Sequence, residues 1–401
     1  MVGTRIARWI ILAVPVRWKT RLPMTHMTPK ERIDTAIRLG KPDRVPVIPV
    51  MDFFSSRYGG ITQKEMFFDL ARADEALQKT LDDLGDMDGM GFSYAGMGRI
   101  LGLYFPSRPR LPGVDGIPDD GQFQFVERSL IEPEEYLAIA GDPRRWLLKK
   151  MVETHPEMTG PAGLAKSLAV IAADVLRMRR SIDAWDRKGL KNMMAYNFAF
   201  TPMEYVSLML RSFDDFILDM FRHPDEVKAA CRALMKPMKE TALFMVVLGG
   251  SKGVFLGGTR TSASSISPKQ FEEFALPEWL EMCTYFAGKG YTPILHFDSD
   301  WTAFLPFFRD FPAGCILNLD GTTDIFKAKE VLGDRMCIMG DVPAALLKLG
   351  EPDEVDEYCR RLITEVGSDG GFILSSGCTV PIDAKPENVS AMLQSVKRYR
   401  P

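Results

Sequence analysis

The chain has 401 residues, of which 46% are hydrophobic and 26% are charged, with a formal net charge of -3. This is ordinary globular composition with ample material for a core, enough for one large α/β domain or two smaller ones. The near-neutral charge argues against nucleic acid or an anionic membrane surface as the main partner.

The cysteines are scattered along the chain without CxxC spacing, at positions 231, 283, 315, 337, 359 and 378. This spacing indicates neither a disulfide framework nor a zinc ribbon. We therefore expect reduced thiols and a cytoplasmic location.

The first 23 residues are basic, contain no acid and have an apolar centre, so that they resemble a weak signal peptide. The apolar run 9–16 is too short to span a bilayer and is interrupted by Pro15. We predict a disordered basic extension over residues 1–27, consistent with an upstream start codon. A single domain over 28–401 begins with a helix, where Thr28 is the N-cap, Pro29 takes the first turn and Glu31 completes a capping box.

Short apolar runs recur along the chain with amphipathic helical segments between them. We predict eight strands, at 45–51, 87–94, 191–198, 253–258, 291–298, 315–320, 336–341 and 370–377. Helical spacing follows or precedes them at 63–84, 267–290, 323–333, 353–367 and 387–399. Alternation of this kind indicates parallel pairing, and eight units favour an α/β (β/α)₈ TIM barrel. A doubly wound open sheet is the alternative, but no GxGxxG follows the first strand.

The segment 95–190 breaks this rhythm between the second and third strands. It opens with Gly- and Pro-rich residues and continues into polar helical patterns. We interpret it as a helical insertion at the rim of the barrel, where it would cover the mouth or contact a partner.

Polar residues end nearly every predicted strand, and active sites of such barrels lie at the C-terminal strand ends. They are Asp52, Tyr94, Asn197, Arg260, His296, Asp298, Asp320, Asp341 and Cys378.

Strand parity gives His296 and Asp298 a common direction. Side chains alternate along a strand, so the apolar set of Leu295 and Phe297 faces the surrounding helices while His296 and Asp298 point into the barrel. Together with Cys378 they form a chemically sensible zinc site with three protein ligands and an open fourth position. The alternative is a satisfied core histidine with an inert buried cysteine.

Four segments carry a resemblance to a known family: 258–279, 294–301 ("ILHFDSDW"), 339–355 and 375–392 ("SSGCTVPIDAKPENVSAM"). They resemble the uroporphyrinogen decarboxylase superfamily, and in particular its corrinoid-dependent methyltransferases, which include methylcobamide:coenzyme M methyltransferases and anaerobic demethylating enzymes. The similarity covers most of 28–400, is strongest after 250 and is weakest over 95–190.

The resemblance implies a (β/α)₈ barrel, zinc and a corrinoid carried by a partner protein. The zinc-dependent members carry His-x-Cys on one strand and a distant Cys in a "GC" segment before a "PEN" helix start. Here His296, Cys378, Glu387 and Asn388 match that pattern, whereas Asp298 stands where a cysteine would be. Aspartate ligates zinc through oxygen, and the harder site suits an oxygen donor better than a thiol.

The decarboxylase itself fits less well, because it resembles a cofactor-free enzyme whose "RQAGRY" segment holds the substrate's carboxylates. This chain has "MDFFSSRYGG" there, with Arg57 alone. Without that cationic cluster a polyanionic tetrapyrrole would leave its charges largely unpaired.

We therefore predict methyl transfer between a small methylated donor, such as a methoxylated aromatic, and the cobalt of a corrinoid protein. Zinc on His296, Asp298 and Cys378 would neutralise the leaving group as a Lewis acid, or Asp320, Asp341 or Tyr94 would instead deliver a proton to it. Asp52, Asn197, Arg260 and Trp301 are predicted substrate contacts. Aromatic residues near the strand ends would line the pocket, namely Phe53, Phe54, Phe92, Tyr94, Phe198, Phe200 and Trp301. A cofactor-free decarboxylase and a non-catalytic tetrapyrrole or corrinoid binder are the other hypotheses.

Overall fold

A computed structural model describes residues 26–114, 116–193 and 197–401. Most of the predicted N-terminal extension and the centre of the third predicted strand lie outside these residues. The strands are β1 (Gly89–Met90), β2 (Lys191–Asn192), β3 (Phe198–Ala199), β4 (Gly253–Gly258), β5 (Thr292–Phe297), β6 (Ile316–Leu319), β7 (Cys337–Val342) and β8 (Phe372–Ser376).

The α-helices surround these strands. They are α1 (Pro29–Ile37), α2 (Asp52–Tyr58), α3 (Gln63–Phe68), α4 (Leu70–Leu84), α5 (Gly98–Tyr104), α6 (Glu135–Gly141), α7 (Pro143–Thr154), α8 (Gly160–Arg187), α9 (Pro202–Tyr205), α10 (Phe213–Arg222), α11 (Pro224–Gly249), α12 (Pro268–Gln270), α13 (Leu276–Gly288), α14 (Ile325–Leu332), α15 (Ala344–Leu349), α16 (Pro352–Arg361) and α17 (Pro386–Arg398). There are also 3₁₀ helices at Pro156–Met158 and Thr302–Asp310. Short π-helices lie at Val206–Leu210, Phe271–Ala275 and Leu362–Val366.

All pairing among the eight described strands is parallel. Strands β3 to β8 form one sheet in chain order, and β1 pairs with β2. An order without a reversal has no switch point of the doubly wound kind. The α/β architecture of the TIM-barrel class is therefore confirmed.

The first predicted strand, 45–51, joins its neighbours through isolated bridges instead of a ladder. Val47 bridges Leu374 and Val50 bridges Thr379, both beside β8. On the other side the backbone N–H of Asp88 donates to the carbonyl of Val47 at 2.8 Å. The segment thus lies between β8 and the start of β1, where a first barrel strand belongs.

Local sequence signals account for the helix boundaries. Thr28 and Glu31 form the predicted capping box at the start of α1. The predicted helix over 63–84 is instead two helices, because Asp69 adopts an extended conformation and its side chain accepts the N–H groups of Ala71 and Arg72 at the start of α4. An aspartate that caps a helix satisfies donors that would otherwise lack partners, which favours a break there.

Helices α5 to α8 lie between β1 and β2, in the segment predicted as an insertion. The longest of them, α8, packs against α5, α4 and α11. Among the described residues no helix is both long and apolar enough to cross a membrane.

The core lies between the strands and the helices outside them. Leu295 and Phe297 of β5 are fully buried, and the Phe297 ring meets Trp279 of α13 with centroids 5.2 Å apart. The other face of β5, which carries His296, therefore points into the interior of the sheet, as predicted.

Candidate metal centre

Three side chains meet at the C-terminal ends of the strands. His296 is near the end of β5, Asp298 follows that strand, and Cys378 follows β8. The imidazole, carboxylate and thiol ligand atoms all lie within 4.8 Å of one another, and His296 Nε2 is 3.3 Å from Asp298 Oδ1. In the described ranges no other group of three His, Cys, Asp or Glu side chains has such spacing.

The donor set and its spacing fit zinc. Zinc–ligand bonds of about 2.0–2.3 Å in a tetrahedral site place neighbouring ligand atoms roughly 3.3–3.7 Å apart. The His296–Asp298 pair already has that separation, at 3.3 Å. The thiol of Cys378 would have to approach by no more than about 1 Å, which a side-chain rotation achieves.

Asn318 of β6 orients the imidazole. Its Oδ1 lies 2.7 Å from His296 Nδ1, while its Nδ2 donates to the carbonyl of Met339 at 3.3 Å. An amide oxygen can only accept, so Nδ1 carries the hydrogen and Nε2 is left to bind a cation. Histidines that ligate metals are commonly held by such an outer partner.

The two acidic neighbours also govern the charge of His296. Burial lowers the pKa of the imidazole, but the Asp298 carboxylate and the Cys378 side chain more than offset this, so that the pKa lies well above its usual value. This corner of the interior therefore attracts positive charge.

A glycine brings Cys378 into place. A Cβ on Gly377 would lie 2.1 Å from the carbonyl oxygen of Asp320, so no other residue fits against the end of β6. The Gly377 N–H donates to Val342 at 2.9 Å and the Ser376 hydroxyl donates to the carbonyl of Cys378 at 2.6 Å. The "GC" pair thus has a steric cause.

A cavity of about 370 Å³ opens on the three side chains. Its wall is largely aromatic, and the Phe255 ring lies 5.0 Å from the His296 ring. The lining aromatic residues are Phe92, Tyr94, Phe105, Phe125, Phe198, Phe200 and Phe255. Such a wall suits a flat apolar ligand with its polar end at the three ligating groups.

Tyr94 lies in this cavity on a loop that Asp52 holds. The Asp52 carboxylate accepts the backbone N–H of Tyr94 and, at 3.1 Å, the hydroxyl of Ser93. Burial raises the pKa of Tyr94 well above its usual value, and the nearby Cys378, Asp298 and Asp52 raise it further. Tyr94 is therefore a neutral phenol that faces the acidic cluster, whereas Asp52, whose pKa burial raises to about 6, positions it from behind.

Arg260 also lines the cavity, as predicted for a substrate contact. Its guanidinium lies over the Phe213 ring at 5.1 Å and is 3.6 Å from Glu127. Its backbone is fixed by the buried Glu204 carboxylate, which accepts the N–H groups of Thr259, Arg260 and Thr261.

The remaining predicted site residues do not line this cavity. Asp320 accepts the N–H groups of Ser299 and Thr322 at 2.9 and 2.8 Å, so it braces the loop after β5. Asp341 accepts the Tyr358 hydroxyl at 2.8 Å, and burial raises its pKa to about 7. Both carboxylates therefore accept hydrogen bonds from neighbouring residues outside the cavity.

The side chains of Asn197 and Trp301 also lie outside the lining of the cavity. The Asn197 side chain lies against Gly249, where an added Cβ would be 2.8 Å from its Oδ1. The Trp301 ring is buried and stacks on Phe297 at 3.8 Å, and its Nε1 donates to the carbonyl of Asp298 at 2.8 Å. Trp301 thus orients Asp298 and does not line the cavity.

Of the aromatic residues predicted to form the pocket, Phe92, Tyr94, Phe198 and Phe200 line it, whereas Phe53 and Phe54 are buried in the core. Phe105, Phe125 and Phe255 were not predicted. Strand parity offers a signal for Phe255, which shares a face of β4 with the lining Gly257. Phe105 and Phe125 belong to the segment between β1 and β2, where no periodicity points to the barrel interior.

A second buried glutamate, Glu278, lies beside Glu204. It accepts the N–H of Met203 at 2.8 Å and contacts Cys231 and Thr201. Burial, with a smaller contribution from the neighbouring Glu204, raises its pKa from 4.5 to about 8. Folded Glu278 therefore keeps its proton over a range in which the unfolded chain has lost it.

This pKa shift predicts that the protein becomes less stable as the pH rises. Between pH 4.5 and about 8 the folded state binds more protons than the unfolded state, so the free energy of unfolding falls with pH across that window. Glu278→Gln should flatten the decline in urea titrations from pH 5 to 8, by on the order of 3 kcal/mol at the upper end. Glu272→Gln, at an exposed position, is the control that should leave the slope unchanged. Equal slopes in wild type and Glu278→Gln would contradict the prediction.

Comparison with known proteins agrees with the fold. The family model for uroporphyrinogen decarboxylase (URO-D) matches residues 180–399. The fold defined the chain as a parallel α/β protein of the TIM-barrel class, and this match identifies its family within that class. The chain belongs to the uroporphyrinogen decarboxylase family, as its motifs indicated.

Curated relatives match over a limited region. Uroporphyrinogen decarboxylase of Methylococcus capsulatus is 33% identical over 116 residues, which are 28% of this chain and 32% of that protein. The enzyme of Chlorobium phaeobacteroides is 29% identical over 140 residues, 34% of this chain and 39% of that protein. The similarity thus spans about a third of the length of these relatives.

A solved structure covers nearly the whole chain. A methyltransferase from Methanosarcina mazei superposes with a TM-score of 0.61 over 92% of this chain and 98% of its own, at 14% sequence identity. At this identity the likeness establishes the shared fold.

Proposed function

We propose that this protein transfers a methyl group from a methoxylated aromatic donor to the cobalt of a corrinoid carried by a partner protein. The observation that carries the proposal is the meeting of His296, Asp298 and Cys378 within 4.8 Å at the base of an aromatic cavity. The methyltransferase with the same overall fold supports the same reaction class.

The reaction breaks the bond between the donor oxygen and its methyl carbon while the carbon bonds to Co(I), and the electron pair remains on the oxygen. The chemical difficulty is therefore charge on the leaving oxygen. Zinc held by His296, Asp298 and Cys378 would supply Lewis-acid polarisation of that oxygen.

Residues of the chain orient the donor and limit the access of water to it. The aromatic wall holds the ring of the donor, and Tyr94, neutral because of its raised pKa, donates a hydrogen bond toward the developing negative charge. The leaving phenolate then takes a proton from solvent. Asp320 and Asp341 have no part in this scheme, since neither lines the cavity.

Decarboxylation of a tetrapyrrole is the second candidate, and the names of the curated relatives favour it. The charge of the cavity argues against it. Among the described residues that line the cavity, Arg260 is the one with a permanent positive charge, and it already has Glu127 as a partner. Arg57 is exposed on α2 and does not line the cavity. Several substrate carboxylates would be left without partners.

The test is an assay of both reactions with the full chain. With a Co(I) corrinoid protein and a methoxyarene, we expect a product lighter by one methylene unit (CH₂) and a methylated corrinoid, both absent when the corrinoid protein is omitted. Incubation with uroporphyrinogen should release no carbon dioxide. Carbon dioxide release without demethylation would replace this proposal with the second candidate, and neither activity would favour a non-catalytic binder.

A further inference from the structure

A second cavity, of about 280 Å³, lies outside the strands between α5, α7, α8 and α11. Its wall is mostly aliphatic, with Leu147 and Met151 on α7, Leu164 and Ile171 on α8, and Met238 on α11. The cavity is open to solvent on one side, where the lining residues Leu148 and Leu168 are exposed, and an apolar wall of this kind suits an apolar ligand.

Two aromatic rings separate this cavity from the candidate metal centre. Phe198 and Phe200 line both cavities, and their rings meet edge to face with centroids 6.1 Å apart. Phe200 lies over Gly257 of β4, where an added Cβ would be 3.1 Å from its ring. The two cavities are therefore neighbours that share a wall of two side chains.

The second cavity also contains two tyrosines whose hydroxyl groups are unused. Tyr104 and Tyr205 line it, and Tyr205 is only 9% exposed. Within the described ranges neither hydroxyl has a hydrogen-bond partner, and neither is among the fully buried polar atoms, so both can contact a ligand in the cavity. Tyr104 raises the pKa of Tyr205 beyond the effect of burial, which places the two phenols close together. A ligand oxygen in this cavity would give both hydroxyls a partner.

We infer that the second cavity binds the distal part of an extended apolar methyl donor, with Tyr104 and Tyr205 bound to an oxygen at its far end. The methoxy end lies at His296, Asp298 and Cys378, the aromatic ring lies in the first cavity, and an alkyl arm passes Phe198 and Phe200. This inference rests on the proposed function for the orientation of the ligand. The substrate class becomes an arene with a methoxy group at one end and a para chain ending in a hydroxyl or carbonyl.

The affinities of three ligands test whether an alkyl arm of the donor enters the second cavity. Calorimetric Kd values for the metal-loaded wild type are compared for methoxybenzene, 4-butylanisole and 4-(4-hydroxybutyl)anisole. Each methylene that enters the second cavity should tighten binding by up to about fourfold. The Tyr104→Phe, Tyr205→Phe double variant should weaken the hydroxybutyl ligand about three- to tenfold and leave the butyl ligand unchanged.

Leu164→Trp fills the second cavity from its partly exposed edge, so it should abolish the dependence of Kd on chain length. Leu137→Trp, on the exposed face of α6, is the control that should preserve this dependence. The same series in His296→Ala separates this inference from the proposed function, because the gain per methylene should persist there even if zinc and demethylation prove absent. Equal Kd values along the series in wild type, or equal losses for the butyl and hydroxybutyl ligands in the tyrosine variant, would overturn the inference.

Discussion

Cys378→Ser and His296→Ala are each expected to abolish zinc binding and, with it, methyl transfer. Three protein ligands hold a catalytic zinc, and losing even an outer partner of a ligand lowers affinity about 10–100-fold. Loss of a ligand removes more. We expect about one zinc ion per chain in the wild type and a content below detection in each variant after dialysis against a weak chelator. Loss of the Lewis acid, worth several kcal/mol at the transition state, should slow demethylation about 10³-fold or more.

Elemental analysis and turnover are measured on the same samples. Cys359→Ser is the matched control, because that thiol is buried away from the cavity and contacts Ser395, a partner that a serine hydroxyl keeps. Asp298→Cys should retain zinc, because a cysteine thiolate is also a zinc ligand. Unchanged zinc and turnover in both ligand variants would refute the metal centre.

Glu204→Gln is expected to destabilise the fold by about 2–4 kcal/mol and to weaken substrate binding. Each Glu204 oxygen faces donors, from the N–H groups of Thr259, Arg260 and Thr261 to the hydroxyl of Thr261. An amide would turn its NH₂ group toward some of these donors, and buried donors without acceptors cost about 1–3 kcal/mol each. Chemical denaturation at pH 7 measures the loss, and the KM for the methoxyarene should rise because Arg260 and Thr259 line the cavity.

Glu278→Gln provides the comparison, because the two glutamates are neighbours and both are buried. With a pKa of about 8, Glu278 is largely neutral at pH 7, so an amide reproduces its hydrogen bonds. We therefore expect Glu278→Gln to be at least as stable as the wild type at pH 7, because the amide has no proton to retain against the unfolded state. If Glu204→Gln were as stable as Glu278→Gln, the carboxylate would not be the anchor of the loop after β4.

The sequence by itself determined the architecture and the grouping of His296, Asp298 and Cys378. Alternation of apolar runs and amphipathic helices is a local property that repeats along the chain, so it predicted parallel strands in chain order. Parity within one strand placed His296 and Asp298 on a common face, because the two-residue period of a strand does not depend on its surroundings. The "GC" segment identified Cys378, and a steric contact of Gly377 explains it.

Only the tertiary structure decided which polar strand ends reach the cavity beside His296, Asp298 and Cys378. Asp320, Asp341, Asn197 and Trp301 carry the same sequence signal as Arg260 and Tyr94, but each is held by neighbours that lie far away along the chain, or by its own turn. The roles of Phe105, Phe125 and the second cavity likewise depend on how α5 to α8 pack against α11. Hydrogen-bond partners and cavity walls come from distant segments, and a local pattern does not encode which of those segments will meet.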